Sequence, residues 1–274
     1  MTEGLIKQWR TFLQEIAPNS GLADRWDFAF RYKVSFFAPY LPGGLRVLDI
    51  GCGEGVLSFF LGYLGHQVFA IDRSARQIAL NEVNAVKMGL KSVSFKAIDI
   101  EDLDPCLGGR YDVILCTDVL EHLDEPESVI LKIVQFLNEG GSLFLSLPSP
   151  SAPIHRVRMR LFGYDRFDFT VSHRRRFTVA ETREIVNGAG LALVEVREVE
   201  GLLKNWFYVT RIGRYMQRFN RWTLKDFFLI MDQVTLKLFG GAGHYAVARK
   251  SRGQGNETDV ASKGGKGSPR QVNP

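Results

Sequence analysis

Three glycines at alternate positions, Gly51, Gly53 and Gly55, follow directly on the apolar run RVLDI at residues 46–50. Glycine lets the chain turn tightly and brings backbone N–H groups close to a ligand. Asp49 and Glu54 bracket the turn and make it acidic. A pyrophosphate would meet like charge here, and the spacing D-x-G-x-G-x-G is not the G-x-G-x-x-G of a dinucleotide site. A cationic ligand without phosphate suits the loop better. Asp72 ends the next apolar run, 19 positions after Gly53, close to the spacing at which an acid meets ribose hydroxyls. Asp99 ends the third run, placed to accept hydrogen bonds from an adenine amino group.

A second set of residues could move a proton. The fourth apolar run, YDVILC at 111–116, leads into Thr117, Asp118, Glu121 and His122, and His173 precedes a later helical segment. Glu121, His122 and His173 are the candidate acids and bases for deprotonating a hydroxyl. The three arginines after His173 are expected to disfavour its protonated form. Asp118, Glu121 and His122 stand at i, i+3 and i+4 and would share one face of a helical turn.

The elements that must position these groups follow from periodicity. RVLDI, HQVFAI, SVSFKAI, YDVILC and SLFLSL are short runs rich in branched and aromatic residues, and read as buried strands. Between them, 55–64, 74–88 and 126–138 carry apolar residues three and four apart, as helices do. Strands alternating with helices predict a parallel sheet covered on both faces. Pro148, Pro150 and Pro153 break the pattern. A helix is then expected at 179–189, a strand at LALVEVREV, a helical block at 202–239 and a closing strand at HYAVARK. The amphipathic start, 1–43, reads as a helical cap, 44–250 as the main domain, and 251–274 as a tail too poor in large apolar side chains to fold.

VLDIGCGEG, Asp72, IDIED at 98–102, YDVILCTDVLEHLDEP at 111–126 and LNEGGSLFLSLP at 137–148 together resemble the class I S-adenosylmethionine-dependent methyltransferases. HRRRFTVAETREIVNGAGLALVEV at 173–196 resembles the branch that acts on small molecules and quinones. The resemblance covers roughly residues 44–200. It implies an α/β, doubly wound, seven-stranded and mostly parallel Rossmann-like sheet with an antiparallel last strand and a helical insertion near the C-terminus. It implies S-adenosylmethionine as cofactor, with Asp49, Gly51 and Gly53 on the methionine portion, Asp72 on the ribose, and Asp99 and Ile100 on the adenine. Cys52, Arg73 and Thr117 complete the cofactor set. The Asp118-x-x-Glu121-His122 run resembles the metal cluster of ubiquinone and small-RNA O-methyltransferases. Those families carry Glu where this chain has the shorter Asp118, so no metal is expected. The Asn-Pro-Pro-aromatic signature of base amino-methylation is absent, since Cys116-Thr-Asp-Val119 stands there. That excludes DNA as the substrate.

Composition narrows the rest. Three cysteines form no metal-type pair or even disulfide framework, and fit a reducing cytoplasm. The N-terminus lacks a signal-peptide pattern, and no apolar run reaches the roughly 18 residues of a membrane span. The formal net charge is +5. Basic residues concentrate at 151–177, with seven arginines against Asp165 and Asp168, and again at 202–238. The first segment has no recognisable RNA-binding pattern. The second pairs apolar residues (Leu203, Trp206, Phe207, Ile212, Tyr215, Met216, Phe219) with a stripe of Arg211, Arg214, Arg218 and Arg221. That is the pattern of an interfacial helix on an anionic membrane, or of a lid with its charged side in water. The expected function is O-methylation of a small or lipid-linked, anionic metabolite by a cytoplasmic protein, peripheral on the inner membrane face. The alternatives are an RNA or protein methyltransferase of the same fold, and a non-catalytic binding protein that retains it.

Overall fold

The computed structural model describes residues 2–16, 22–103, 109–210 and 222–251. The expected tail therefore lies outside the described residues, except its first position. The same holds for the arginine stripe of the insertion and for Ile212, Tyr215, Met216 and Phe219.

Seven strands form one sheet: β1 (Arg46–Ile50), β2 (Gln67–Asp72), β3 (Val93–Ala97), β4 (Tyr111–Thr117), β5 (Leu137–Pro148), β6 (Leu191–Val199) and β7 (Gly243–Lys250). Their order is β3-β2-β1-β4-β5-β7-β6. β1 to β5 run parallel, and β7 is antiparallel to both β5 and β6. This is the doubly wound architecture that the alternating pattern predicts. β1 lies between β2 and β4, so the strand order reverses there and opens a crevice at the carboxyl ends.

Side chains alternate between two cores, as the two-residue period of a strand requires. Val47, Val113, Leu115, Phe144, Tyr245 and Val247 enter one core. Leu48, Ile50, Ile114, Cys116, Leu143, Leu145, Ala246 and Ala248 enter the other. The first face is covered by α1 (Thr2–Ile16), α2 (Leu22–Phe37), α3 (Val56–Tyr63) and α4 (Ala75–Lys87). Here Trp9 meets Phe60 edge-on at 4.9 Å, and Phe37 stacks on Phe144 at 4.7 Å. These rings clamp the N-terminal cap to the sheet. The second face is covered by α5 (Pro126–Val134) and α8 (Val179–Gly188). A capping box of Thr178 and Glu181 starts α8.

Two elements depart from the sequence reading, while the helical block expected at 202–239 contains helices in its described residues. The helix expected at 126–138 ends at Val134, because Leu137 already pairs with Tyr111 as the start of β5. The segment with three prolines contains two helices, α6 (Pro153–Phe162) and α7 (Arg166–Val171). Pro153 opens α6, where a missing N–H costs nothing. The Asp165 carboxylate caps α7 by accepting from Phe167 N at 2.9 Å. The insertion holds α9 (Leu202–Val209) and α10 (Trp222–Phe239). Among the described residues no helix is long and apolar enough to cross a membrane.

Candidate active site

The glycine loop begins where β1 ends. Gly51, Gly53 and Gly55 adopt φ of +67°, +50° and +74°, a region closed to most side chains. A Cβ on Gly51 would stand 2.4 Å from Val119 Cγ2, whereas one on Gly53 would meet nothing within 4 Å. The first glycine is there for packing, and the second leaves backbone open to a ligand. The Asp72 carboxylate fastens this loop to β2: it accepts from Gly53 N at 2.9 Å and from Ser74 N at 2.9 Å. Asn81 Nδ2 donates to Gly53 O at 2.8 Å from below. Asp49 is buried under the turn and accepts from Ser58 Oγ; burial pushes its carboxyl up to about 7. Cys52 N donates to Ile71 O at 3.0 Å. Burial raises the thiols of Cys52 and Cys116, so neither is a ready nucleophile. Asp99 accepts from Glu101 N at 3.1 Å and opens the short turn that begins with buried Ile100. Thr117 closes β4, and Arg73 follows Asp72 on the same edge, within electrostatic reach of His122. The candidate cofactor residues thus share one edge of the sheet.

Beside this edge lies a cavity of about 370 Å³, lined from β5, β6, β7 and the loop after β4 and roofed by α2, α7 and α9. Glu121, His122 and His173 all line it. A strap from His173 to Phe177 makes the cluster. Arg174 N donates to the Glu121 carbonyl at 2.8 Å, and Phe177 N to the Pro148 carbonyl at 2.8 Å. This brings His173 Nε2 to 3.8 Å from Glu121 Oε1, and the two imidazole centres to 5.2 Å. Each imidazole is held at its other nitrogen. His173 Nδ1 donates to Asp168 Oδ1 at 3.1 Å, and His122 Nδ1 to Ser172 O at 3.0 Å. Those acceptors fix the tautomer and leave both Nε2 lone pairs available. Burial opposes ionisation of Asp168, yet hydrogen bonds from His173 and Arg176 hold its carboxyl at about 2. Glu121 is 1% exposed, and its Oε2 has no hydrogen-bond partner among the described residues. Burial and the nearby Asp118 charge push its carboxyl well above the usual range. Burial lowers the His122 imidazole, favouring its neutral form.

Two expectations are corrected here. The arginines after His173 do not set its surroundings: Arg174 pairs with Asp124, Arg175 with Glu127 at 3.5 Å and Arg176 with Asp168 at 2.6 Å. The nearest charged groups to His173 are carboxylates. Asp118 does not join Glu121 and His122 on a helical face, because 120–122 is a short 3-10 turn and Asp118 sits at φ +56°. Its carboxylate pairs with Lys33 of α2 and accepts from Ser146 Oγ. The group that gathers instead is Glu121, His122 and His173, whose ligating atoms lie within 4.8 Å of one another. Local spacing gave no sign of Lys33, Asp168 or Asn81. Each reaches the site from another part of the chain.

A family model described as a methyltransferase domain matches residues 24–196. The chain belongs to the methyltransferase domain family. The chain is 37% identical over 105 residues to the ubiquinone biosynthesis O-methyltransferase of Xanthomonas axonopodis pv. citri, covering 38% of this chain and 44% of that protein. With the protein of the same name from Burkholderia thailandensis it shares 30% over 165 residues, covering 58% and 69%. The chain spans less than half the length of the first of these. Among solved structures, magnesium protoporphyrin IX methyltransferase from Synechocystis with bound S-adenosylhomocysteine superposes with a TM-score of 0.53 at 18% identity, covering 90% of this chain and 94% of that one. The [4+2]-cyclase SpnF gives a TM-score of 0.57 at 21% identity, covering 84% and 82%. A cyclase on this fold shows that the fold does not settle the reaction, and the site must carry that argument.

Proposed function

We propose that the protein transfers a methyl group from S-adenosylmethionine to a hydroxyl of a small or lipid-linked acceptor held in the cavity. One observation carries the reading: Glu121, His122 and His173 turn into a cavity adjoining an acidic glycine loop. The relatives named ubiquinone biosynthesis O-methyltransferases support oxygen as the receiving atom.

When bound, S-adenosylmethionine supplies a methyl group already activated by a positive sulfur. The residues present fit it. Gly51, Cys52 and Gly53 bring backbone to the methionine portion over the acidic floor of Asp49. Asp72 and Arg73 take the ribose, Asp99 and Ile100 the adenine, and Thr117 lines the passage towards the cavity. His173 Nε2 accepts the proton of the acceptor hydroxyl, as Asp168 keeps the ring in the required tautomer. Glu121 orients that hydroxyl through Oε2, and His122 closes the same side. Roofing helices exclude water, and alignment supplies most of the rate. The three ligating atoms and the orphaned Oε2 would also fit a divalent cation, held by Glu121, His122 and His173, which would acidify the hydroxyl.

Catechols with and without a farnesyl tail, incubated with methyl-labelled cofactor, test the reading. Label on a phenolic oxygen is the expected result. Label on carbon, or no label on either probe, contradicts it.

The apolar surface beside the cavity supports docking on an anionic membrane. On α10, Phe227, Ile230, Val234, Leu238 and Phe239 are exposed, and so are Leu161, Phe162, Tyr164 and Phe169 of α6, α7 and their junction. Arg156 Nη2 donates to Phe239 O at 2.9 Å and ties the two regions together. Arg156, Arg160, Arg166, Arg174 and Arg175 are exposed around them. Apolar side chains ringed by arginine match the boundary of an anionic bilayer. Sedimentation with phosphatidylglycerol vesicles is expected to carry the protein down, and Phe162→Asp to weaken this severalfold. Equal partitioning onto phosphatidylcholine vesicles would remove the electrostatic part of the argument.

A further inference from the structure

α9 is held at both ends of its first turn by charged groups that are all satisfied. Asp232 of α10 accepts from Gly201 N at 2.9 Å and from Lys204 N at 2.7 Å, capping the helix from outside its own sequence. Gly201 permits this approach, since a Cβ there would lie 2.3 Å from the Asp232 carbonyl oxygen. Lys204 is fully buried, pairs with Glu200 at 3.0 Å and lies over the Tyr32 ring at 4.6 Å. The Tyr32 hydroxyl donates to Leu229 O at 2.9 Å.

Asn205, the next residue, is the exception. It is 9% exposed and lines the cavity that Glu121 and His173 also line. Its Oδ1 has no hydrogen-bond partner among the described residues. Buried amides are nearly always paired, because desolvating one without a partner costs free energy. Beside the paired groups of Asp232, Lys204 and Tyr32, an unsatisfied amide oxygen on a cavity wall marks a place kept for a ligand group, as the orphaned Glu121 Oε2 of the same cavity does.

The charge of the cavity says what kind of group. Lys33 is committed to Asp118 and Arg176 to Asp168. The described lining thus offers no cation to pair with an anionic acceptor, and an amide presents one donor edge and one acceptor edge. We propose that Asn205 is a specificity-determining residue that reads a further, uncharged hydroxyl carried on a substituent of the acceptor, whose O–H donates to Oδ1 while the reacting hydroxyl faces Glu121 and His173. This deepens the O-methylation reading and rests on it. Of the arginines at 151–177, Arg156, Arg160, Arg166, Arg174 and Arg175 are exposed, and Arg176, which lines the cavity, is paired with Asp168.

Asn205→Leu keeps the shape and removes the amide, and two measurements on the full chain test the idea. The first is thermal unfolding without acceptor. Removing an unsatisfied buried amide is expected to raise Tm by about 2–4 °C; a fall in Tm would mean that Asn205 serves the fold, and would overturn the proposal. The second is calorimetric binding of 3,4-dihydroxybenzyl alcohol and 4-methylcatechol in the presence of S-adenosylhomocysteine. These probes share the two ring hydroxyls, and the first adds an uncharged hydroxyl on the substituent, a donor for Oδ1. The wild type is expected to favour the alcohol by about tenfold, and Asn205→Leu to lose that preference while binding 4-methylcatechol as before. An unchanged preference in the variant overturns the role of Asn205 and leaves the cavity's reading standing. A wild type that binds cofactor but neither probe overturns the reading of the cavity, and this inference with it.

Discussion

His173→Ala is expected to lower kcat by about 10²–10⁴-fold, the range that a positioned acid or base contributes. S-adenosylmethionine affinity should stay within about twofold, because the described partners of the ring, Glu121, His122, Phe167 and Asp168, lie outside the glycine loop. The geometry makes this the most damaging single change at the acceptor side. His173 is stitched to the Glu121 backbone by the strap that follows it, and its Nε2 faces the Glu121 carboxyl at 3.8 Å. Asp168→Asn should cost less. It keeps an acceptor for His173 Nδ1 but surrenders the full charge that Arg176 secures at 2.6 Å. Single-turnover rates and cofactor binding, measured on each variant with its Tm, separate loss of chemistry from loss of structure. If His173→Ala turned over as the wild type does, the proton would leave by another route and His173 would be a strap residue alone.

Asp72→Ala is expected to weaken S-adenosylmethionine binding by about 10²-fold or more, since hydrogen bonds to a charged group contribute roughly 1.5–3 kcal/mol each. The carboxylate has two roles. It accepts from Gly53 N and Ser74 N, which fixes the loop and the start of α4, and it is the residue proposed to take the ribose. Asp99→Ala should cost about tenfold, because its shown partner is the local Glu101 N–H. Calorimetry on the three proteins gives this ranking directly. A reversed order would place the nucleoside elsewhere on the strand edge.

The cofactor half of the site was legible because it is local. Parallel strands buried on both faces leave continuous apolar runs, and each run ends where an acid or glycine becomes useful. Asp49, Asp72 and Asp99 could therefore be named from sequence as candidate cofactor residues, at or beside the ends of their strands. The acceptor half is not local. Lys33 meets Asp118 across 85 positions, His122 reaches the Ser172 carbonyl across 50, and Asn205 belongs to an insertion whose role depends on α10. The run of prolines hid α6 and α7, because proline reads as a breaker unless it falls in the first turn, as Pro153 does. Three consecutive arginines suggested a basic surrounding for His173. Arg174 and Arg175 pair with acids at the surface, and only Arg176 turns inward, where it reinforces Asp168.

Titrating the wild-type protein with S-adenosylmethionine and, separately, with NADH tests the central claim most directly. The account predicts micromolar binding of the sulfonium cofactor and none of the dinucleotide, since the loop has the spacing D-x-G-x-G-x-G, with Glu54 inside the turn, and not the G-x-G-x-x-G of a dinucleotide site. Binding of NADH, or of neither, would contradict it.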